Sequence, residues 1–259
     1  MAEFTVSEVC LAVKGSLIGG SAGAIFTGIS TDTRTLKAGD LFIALSGERF
    51  DGHEFLHQAV AQGAAGVLIS RRDIVIPSGI AVVLTDDTRK ALQNLACFHR
   101  LRFDIPVIAV TGSNGKTTTK DMTAAVLASR FKVLKTEANY NNEIGLPLTL
   151  LNLTADHQVA VVEMGMRSKG EIRELAEVAL PTVGVVTNVG ETHIELLGSL
   201  ENIASAKAEL VENIQEGLVI LNADNPYVYA MRSKTKAAVI FFGLNSQADV
   251  RAENIPVRR

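Results

Sequence analysis

The chain has 259 residues, 47% hydrophobic and 20% charged, with a formal net charge of −3. This excludes a disordered chain, allows a sizeable core and suggests about two domains at roughly 100–200 residues each. The sequence contains no lysine/arginine block, which disfavours a nucleic-acid backbone or an anionic membrane and leaves small molecules as the expected partners.

Cys10 and Cys97 are the only cysteines. Each lies in an apolar helical pattern and is expected to be a reduced core thiol, which favours the cytoplasm. The N-terminus, with Glu3 and Glu8, carries no targeting pattern, and no uncharged apolar segment reaches the roughly 18 residues of a membrane span.

Thr5-x-x-Glu8 is a capping box for a helix through about Val13, which Gly15, Gly19 and Gly20 are expected to end. Short strands follow near Ile25 to Ile29 and Leu41 to Leu45. The polar stretches Ser30-Thr31-Asp32-Thr33-Arg34 and Ser46-Gly47-Glu48-Arg49-Phe50-Asp51-Gly52-His53 close those apolar runs, where ligand contacts collect. A helix from Glu54 to Gln62, strands at Ala64 to Ser70 and Ile80 to Thr85, and a helix from Asp87 to Arg102 complete a small α/β domain, residues 1–104.

From Pro106 onward, β-branched runs at Val107–Val110, Val159–Glu163, Val183–Asn188, Leu218–Leu221 and Ala238–Phe242 alternate with helical patterns. Continuous apolar strands between helices predict a mainly parallel sheet covered on both faces, in a second domain at residues 105–259. Ligands to such sheets gather at the carboxyl ends of the strands. Val250 to Arg259 read as an extended segment entered and cut short, so this domain is expected to be incomplete.

The first run leads into Thr111-Gly112-Ser113-Asn114-Gly115-Lys116-Thr117-Thr118, followed by a helical pattern from Lys120 to Phe131. Strand, glycine loop and helix start form a polyphosphate cradle, with Lys116 reaching the outer phosphates and Thr117 holding their magnesium. Val110 stands where the common P-loop has another glycine, so this loop is a shortened variant.

Glu163 ends a strand beside the loop and suits a magnesium ligand, or else a helix cap or solvated charge. His193 follows the strand ending at Asn188, where an imidazole suits a second metal or nothing special. Lys207 falls on the apolar stripe Leu200, Ile203, Ala204, Leu210, Val211 and Ile214. It is either paired, deprotonated or modified there, or it snorkels to water.

Together these residues resemble the Mur ligase family, ATP-dependent enzymes that build the peptide of peptidoglycan precursors. The resemblance implies ATP bound at Thr111 to Thr118 and two magnesium ions. One ion would be held by Thr117 and Glu163, the other by His193 and by Lys207 carboxylated by carbon dioxide. Asp32-x-Arg34, Gly39-Asp40-Leu41-Phe42-x-Ala44 and Asp51-Gly52-His53-x-Phe55 resemble the family's UDP-binding domain, implying that Ser30, Thr31, Asp32, Arg34, Ser46 and Gly47 contact the uridine nucleotide.

The segment Thr136 to Pro147 is similar to the member that acts last, joining D-alanyl-D-alanine to UDP-N-acetylmuramoyl-tripeptide through an acyl phosphate. Asn139, Asn141 and Asn142 are then substrate contacts, although asparagine clusters also serve turns. The rival readings are a diaminopimelate- or lysine-adding member and a nucleotide-binding module without ligase activity. The family's C-terminal domain is not found in the sequence, so these residues alone are expected to be inactive; a monomer is expected.

Overall fold

A computed structural model of the chain describes residues 3–47, 50–75, 78–192 and 194–255. The backbone forms two compact units. One comprises the chain up to Phe103 together with Pro147–Thr154; the other comprises Asp104–Leu146 and the chain from Ala155 on.

The first unit begins with the capping box. Thr5 Oγ1 accepts from the Glu8 N–H at 3.3 Å, and the Glu8 carboxylate accepts from the Thr5 N–H at 2.8 Å, starting the helix Val6–Val13. The helix ends on Lys14 in the left-handed region, φ 52°, and the chain then enters an edge strand, Ser16–Gly19, where the sequence pattern suggested only glycine breaks. The strand lies between Gly15 and Gly20 and itself ends in Gly19, and its register slips between Leu17 and Gly19, so no alternation marks it in the sequence. The sheet runs in the order Ser16–Gly19, Ala81–Leu84, Gly66–Ile69, Asp40–Ile43, Gly28–Ser30, with the last four parallel.

Phe42, Leu56, Val67, Ile69 and Val82 form the core of this unit. The helix expected from Glu54 is a 3-10 turn, Gly52–Phe55, leading into Leu56–Ala61. Asp87 caps the helix Thr88–Arg100 by accepting from the Arg89 and Lys90 N–H groups. Buried His99 donates from Nε2 to the Leu153 carbonyl at 3.0 Å, tying the Pro147–Thr154 excursion to this unit. Neither Cys10 nor Cys97 forms a disulfide, and both are only half-buried, not core thiols as expected; burial nonetheless pushes both thiols up.

The second unit holds a seven-stranded sheet, parallel throughout, in the order Val133–Lys135, Val159–Glu163, Val107–Thr111, Val183–Val186, Leu218–Asn222, Ala238–Gly243, Val250–Arg251. The strand Val133–Lys135 was not expected, because two apolar residues between Lys132 and Lys135 leave no readable pattern. Each strand's carboxyl end lies on one edge, and there Val110 pairs with Glu163 and Thr111 with Val186. That register sets a carboxylate beside the residue preceding the glycine loop. Among the described residues no helix is long and apolar enough to cross a membrane.

Candidate functional site

The strand Val107–Thr111 runs into the loop, and the helix starts at Lys116, a turn earlier than the pattern from Lys120 suggested. The reason is Gly115: at φ 81° it takes the left-handed conformation that lets the chain turn straight into the helix, Lys116–Ala128. Gly112 adopts φ 148°, and a Cβ there would lie 1.9 Å from Thr187 Oγ1, so only glycine fits. Thr111 is buried and donates from Oγ1 to the Met164 carbonyl, whereas Asn114, Gly115, Thr117 and Thr118 are exposed at the loop and first helical turn.

A second loop backs the first. The Ser113 N–H donates to the Asn188 carbonyl at 2.9 Å, the Asn114 N–H to Asn188 Oδ1 at 2.8 Å, and Thr187 Oγ1 to the Asn114 carbonyl at 2.6 Å. Lys116 curls over its own loop, donating from Nζ to the carbonyls of Gly112 at 2.9 Å and Ser113 at 3.3 Å. Burial lowers its pKa, an effect that the Glu163 carboxylate opposes.

Glu163 is 2% exposed. Oε1 accepts from Asn141 Nδ2 at 2.7 Å, its N–H donates to Thr136 Oγ1, and its buried Oε2 has no hydrogen-bond partner among the described residues. Neither alternative, helix cap nor solvated charge, describes this carboxylate. An orphaned buried carboxylate oxygen is costly, by about 1–3 kcal/mol or more, unless a cation completes it.

Lys207 is 3% exposed and sits on the helix Leu200–Asn213, so it does not snorkel to open water. Burial, reinforced by the neighbouring Lys116 charge, lowers its pKa to about 7. The same helix carries Glu209, also buried, whose carboxylate accepts from the Gly170 N–H at 2.8 Å and the Arg173 N–H at 3.1 Å, capping the helix Glu171–Ala179. A buried carboxylate with its helix-capping partners has no distinctive spacing in sequence, so Glu209 went unnoticed there.

Gly112, Ser113, Lys116, Asn139, Asn141 and Lys207 line one cleft of about 280 Å³. Asn142 also reaches it, and its Oδ1 accepts from the N–H groups of Ile144 and Gly145 in a turn. Thr192 joins the wall with a buried hydroxyl that has no partner among the described residues. His193 lies outside the described residues. Among the described residues no three histidine, cysteine or acidic side chains cluster to hold a metal by themselves.

The Lys207 shift has a signed consequence. With an ordinary lysine value of 10.5 in the unfolded chain and about 7 in the folded one, the unfolded state binds more protons between those values, so stability rises as pH rises through that window. Urea unfolding in carbonate-free buffer is expected to show a Lys207 contribution of at most about 1.4 kcal/mol per pH unit between pH 7 and 9. Lys207→Met is expected to flatten that dependence; an unchanged slope would place the amine in water.

Two family models match the chain: residues 110–259 match the Mur ligase middle domain, and residues 25–100 match the Mur ligase family catalytic domain. The chain belongs to the Mur ligase family. The UDP-N-acetylmuramoyl-tripeptide–D-alanyl-D-alanine ligase of Bacillus subtilis is 44% identical over 98% of this chain and 56% of its own length. Its counterpart in Synechocystis is 50% identical over 76% of this chain and 44% of its own length. A crystal structure of MurF from Acinetobacter baumannii superposes with a TM-score of 0.89 at 34% identity, covering 99% of this chain and 56% of that one. MurF from Thermotoga maritima, solved in complex with ADP, gives 0.77 at 32% identity over 85% and 51% of the two chains. This Mur ligase chain therefore spans about half the length of the relatives it matches.

In the first unit of this Mur ligase chain, the remaining expected residues collect at the carboxyl edge of the parallel strands ending at Ser30, Ile43 and Ile69. Ser30 Oγ donates to the Asp32 carbonyl, and Asp32 pairs with exposed Arg34 at 2.6 Å. Thr31 is half-buried, and Ser46 and Gly47 are exposed in a two-residue strand paired with Phe50–Asp51.

The centre of this edge is His53, which the sequence did not distinguish. Its buried ring accepts at Nε2 from the Ser70 N–H at 3.0 Å and meets Asp51 through Nδ1 at 2.6 Å. Burial pushes the Asp51 carboxyl up, but hydrogen bonds from His53, Ser46 and Arg71 outweigh it and hold the group well below the usual range. His53→Ala strands the Ser70 N–H and opens a cavity. We expect it to destabilise this unit by about 2–4 kcal/mol in urea unfolding; a loss under 1 kcal/mol would remove His53 as the organiser of the edge.

Proposed function

We propose that this chain carries the ATP site and the UDP-substrate site of a ligase that joins D-alanyl-D-alanine to UDP-N-acetylmuramoyl-tripeptide. The observation that carries the proposal is the convergence of Lys116, Lys207 and the glycine loop on one cleft, beside the buried Glu163 carboxylate with its unpartnered oxygen. Relatives bearing that activity in their names, at 44% and 50% identity, support the choice of substrates.

In this reading the loop N–H groups and the positive end of the helix Lys116–Ala128 receive the phosphates of ATP. Lys116 exchanges the carbonyls of Gly112 and Ser113 for outer phosphate oxygens. A terminal carboxylate oxygen of the tripeptide attacks the γ-phosphorus, and ADP leaves. The amine of D-alanyl-D-alanine then attacks the acyl carbon, loses a proton, and phosphate departs. No protein nucleophile is needed; charge neutralisation and positioning supply the catalysis.

Magnesium, when bound, supplies positive charge to the phosphates during transfer. Glu163 and Thr117 would hold one ion, and the orphaned Glu163 oxygen fits that role. Lys207, with His193, would serve a second. A lysine lowered to about 7 holds a neutral amine near that pH, the form that takes up carbon dioxide to give an anionic oxygen ligand. ATP and UDP-sugar substrates, with two cysteines that form no disulfide, fit the cytoplasm.

Isothermal titration tests the proposal. The chain is expected to bind Mg-ADP and, separately, UDP-N-acetylmuramoyl-tripeptide. Binding of ADP with indifference to the UDP-tripeptide would instead make it a nucleotide module. Where turnover is measurable, ADP release driven by a single diamino acid and not by the dipeptide would reassign it to another branch of the family.

A further inference from the structure

The hydrogen bonds on the far side of the glycine loop single out two asparagines. Residues Thr187–Gly190 form an extended strap whose carbonyls alternate in direction. Those of Asn188 and Gly190 face the glycine loop, accepting from the Ser113 N–H at 2.9 Å and Ser113 Oγ at 3.0 Å. The Gly190 N–H returns a bond to Ser113 Oγ at 2.9 Å. The carbonyls of Thr187 and Val189 face the other way, where Asn222 Nδ2 donates to the first at 2.8 Å and Asn225 Nδ2 to the second at 2.9 Å.

Both amides are doubly employed. Asn222 Oδ1 accepts from the Asp224 N–H at 2.9 Å, and Asn225 Oδ1 accepts from the Val228 N–H at 3.2 Å, capping the helix Pro226–Ala230. Each side chain is therefore anchored at its oxygen and reaches the strap with its nitrogen. Only a carboxamide has an acceptor and a donor so placed; aspartate has the shape without the donor.

We propose that Asn222 and Asn225 are positioning residues that set the conformation of the glycine loop through the strap Thr187–Gly190. Neither is among the residues that line the cleft, and the side-chain nitrogens reach the strap. Their effect is to fix where the carbonyls of Asn188 and Gly190 point, and hence where Ser113 and its N–H are held. The functional consequence, preorganisation of the phosphate cradle, rests on the reading of the cleft as a nucleotide site; the loop-setting role stands on the hydrogen bonds alone.

Asn225→Asp separates the two duties. It keeps an excellent cap for the helix Pro226–Ala230 but turns a donor to the Val189 carbonyl into a repelling acceptor. In the ligand-free chain, site-resolved amide exchange at Ser113 and Gly190 is expected to quicken about tenfold, with the amides of the strand Val183–Val186 and the melting temperature unchanged. A purely structural role would instead move all of these together. Should the aspartate variant fold poorly, Asn225→Ser keeps a capping oxygen and is too short to reach Val189, and the same local quickening is expected.

Unchanged exchange at Ser113 and Gly190 in the folded variant would overturn the inference, as would a uniform rise across the sheet. A parallel Mg-ADP titration of the unsubstituted chain judges the nucleotide reading separately. If that chain binds ADP, the variant is expected to bind it about tenfold more weakly.

Discussion

Lys116→Ala is expected to weaken Mg-ADP binding by about 10- to 150-fold, with the melting temperature unchanged or slightly raised. The ammonium now rests on two carbonyls of its own loop and is half-buried, with its pKa lowered by burial. Its charge is thus an unfavourable element of the empty protein. Polyphosphate converts it into a donor of charge-assisted bonds worth about 1.5–3 kcal/mol, and losing that contribution gives the fold-change. Calorimetric titration with parallel thermal melts checks both halves. Affinity within threefold of the unsubstituted chain would remove the glycine loop from nucleotide recognition, and where γ-phosphoryl transfer is assayable the variant should show none.

Glu163→Gln is expected to abolish the magnesium dependence of nucleotide affinity while keeping the fold. Glutamine preserves the volume and the acceptor for Asn141 Nδ2, but it replaces the unpartnered anionic oxygen with a neutral group. In the unsubstituted chain, ADP affinity should fall by about tenfold or more when EDTA replaces magnesium; in the variant the two affinities should agree within about twofold. A variant that retains the full magnesium response would show that this carboxylate holds no metal. Without metal, glutamine only removes a negative charge from the neighbourhood of Lys116, so the variant should bind ADP in EDTA at least as tightly as the unsubstituted chain.

The two experiments also separate the cleft's electrostatics. Burial lowers both Lys116 and Lys207, and the Lys116 charge further lowers Lys207. Removing Lys116 should therefore raise the Lys207 pKa, which makes the pH dependence of stability described above an independent check on the electrostatic coupling between them.

Local patterns in the sequence determined much of the architecture. Thr5 and Glu8 specify a helix start with their own side chains, the apolar runs at Val107 and Val159 specify buried parallel strands, and Gly112 and Gly115 specify a loop because only glycine tolerates the backbone they need. These features depend on neighbours a few residues away, so spacing reveals them. The sequence also marked Glu163 and Lys207, since a carboxylate at a strand tip and a lysine on an apolar stripe are anomalies in one dimension. What it left open was their state, and there the tertiary structure decided. Parallel register sets Glu163 beside Val110, and burial on the helix Leu200–Asn213 denies Lys207 the water that would allow it to snorkel. The strap Thr187–Gly190, the helix cap by Glu209 and the His53–Ser70 hydrogen bond were legible only in three dimensions. Each joins polar groups far apart along the chain, and a hydrogen bond between distant segments leaves no periodicity in the sequence that encodes it.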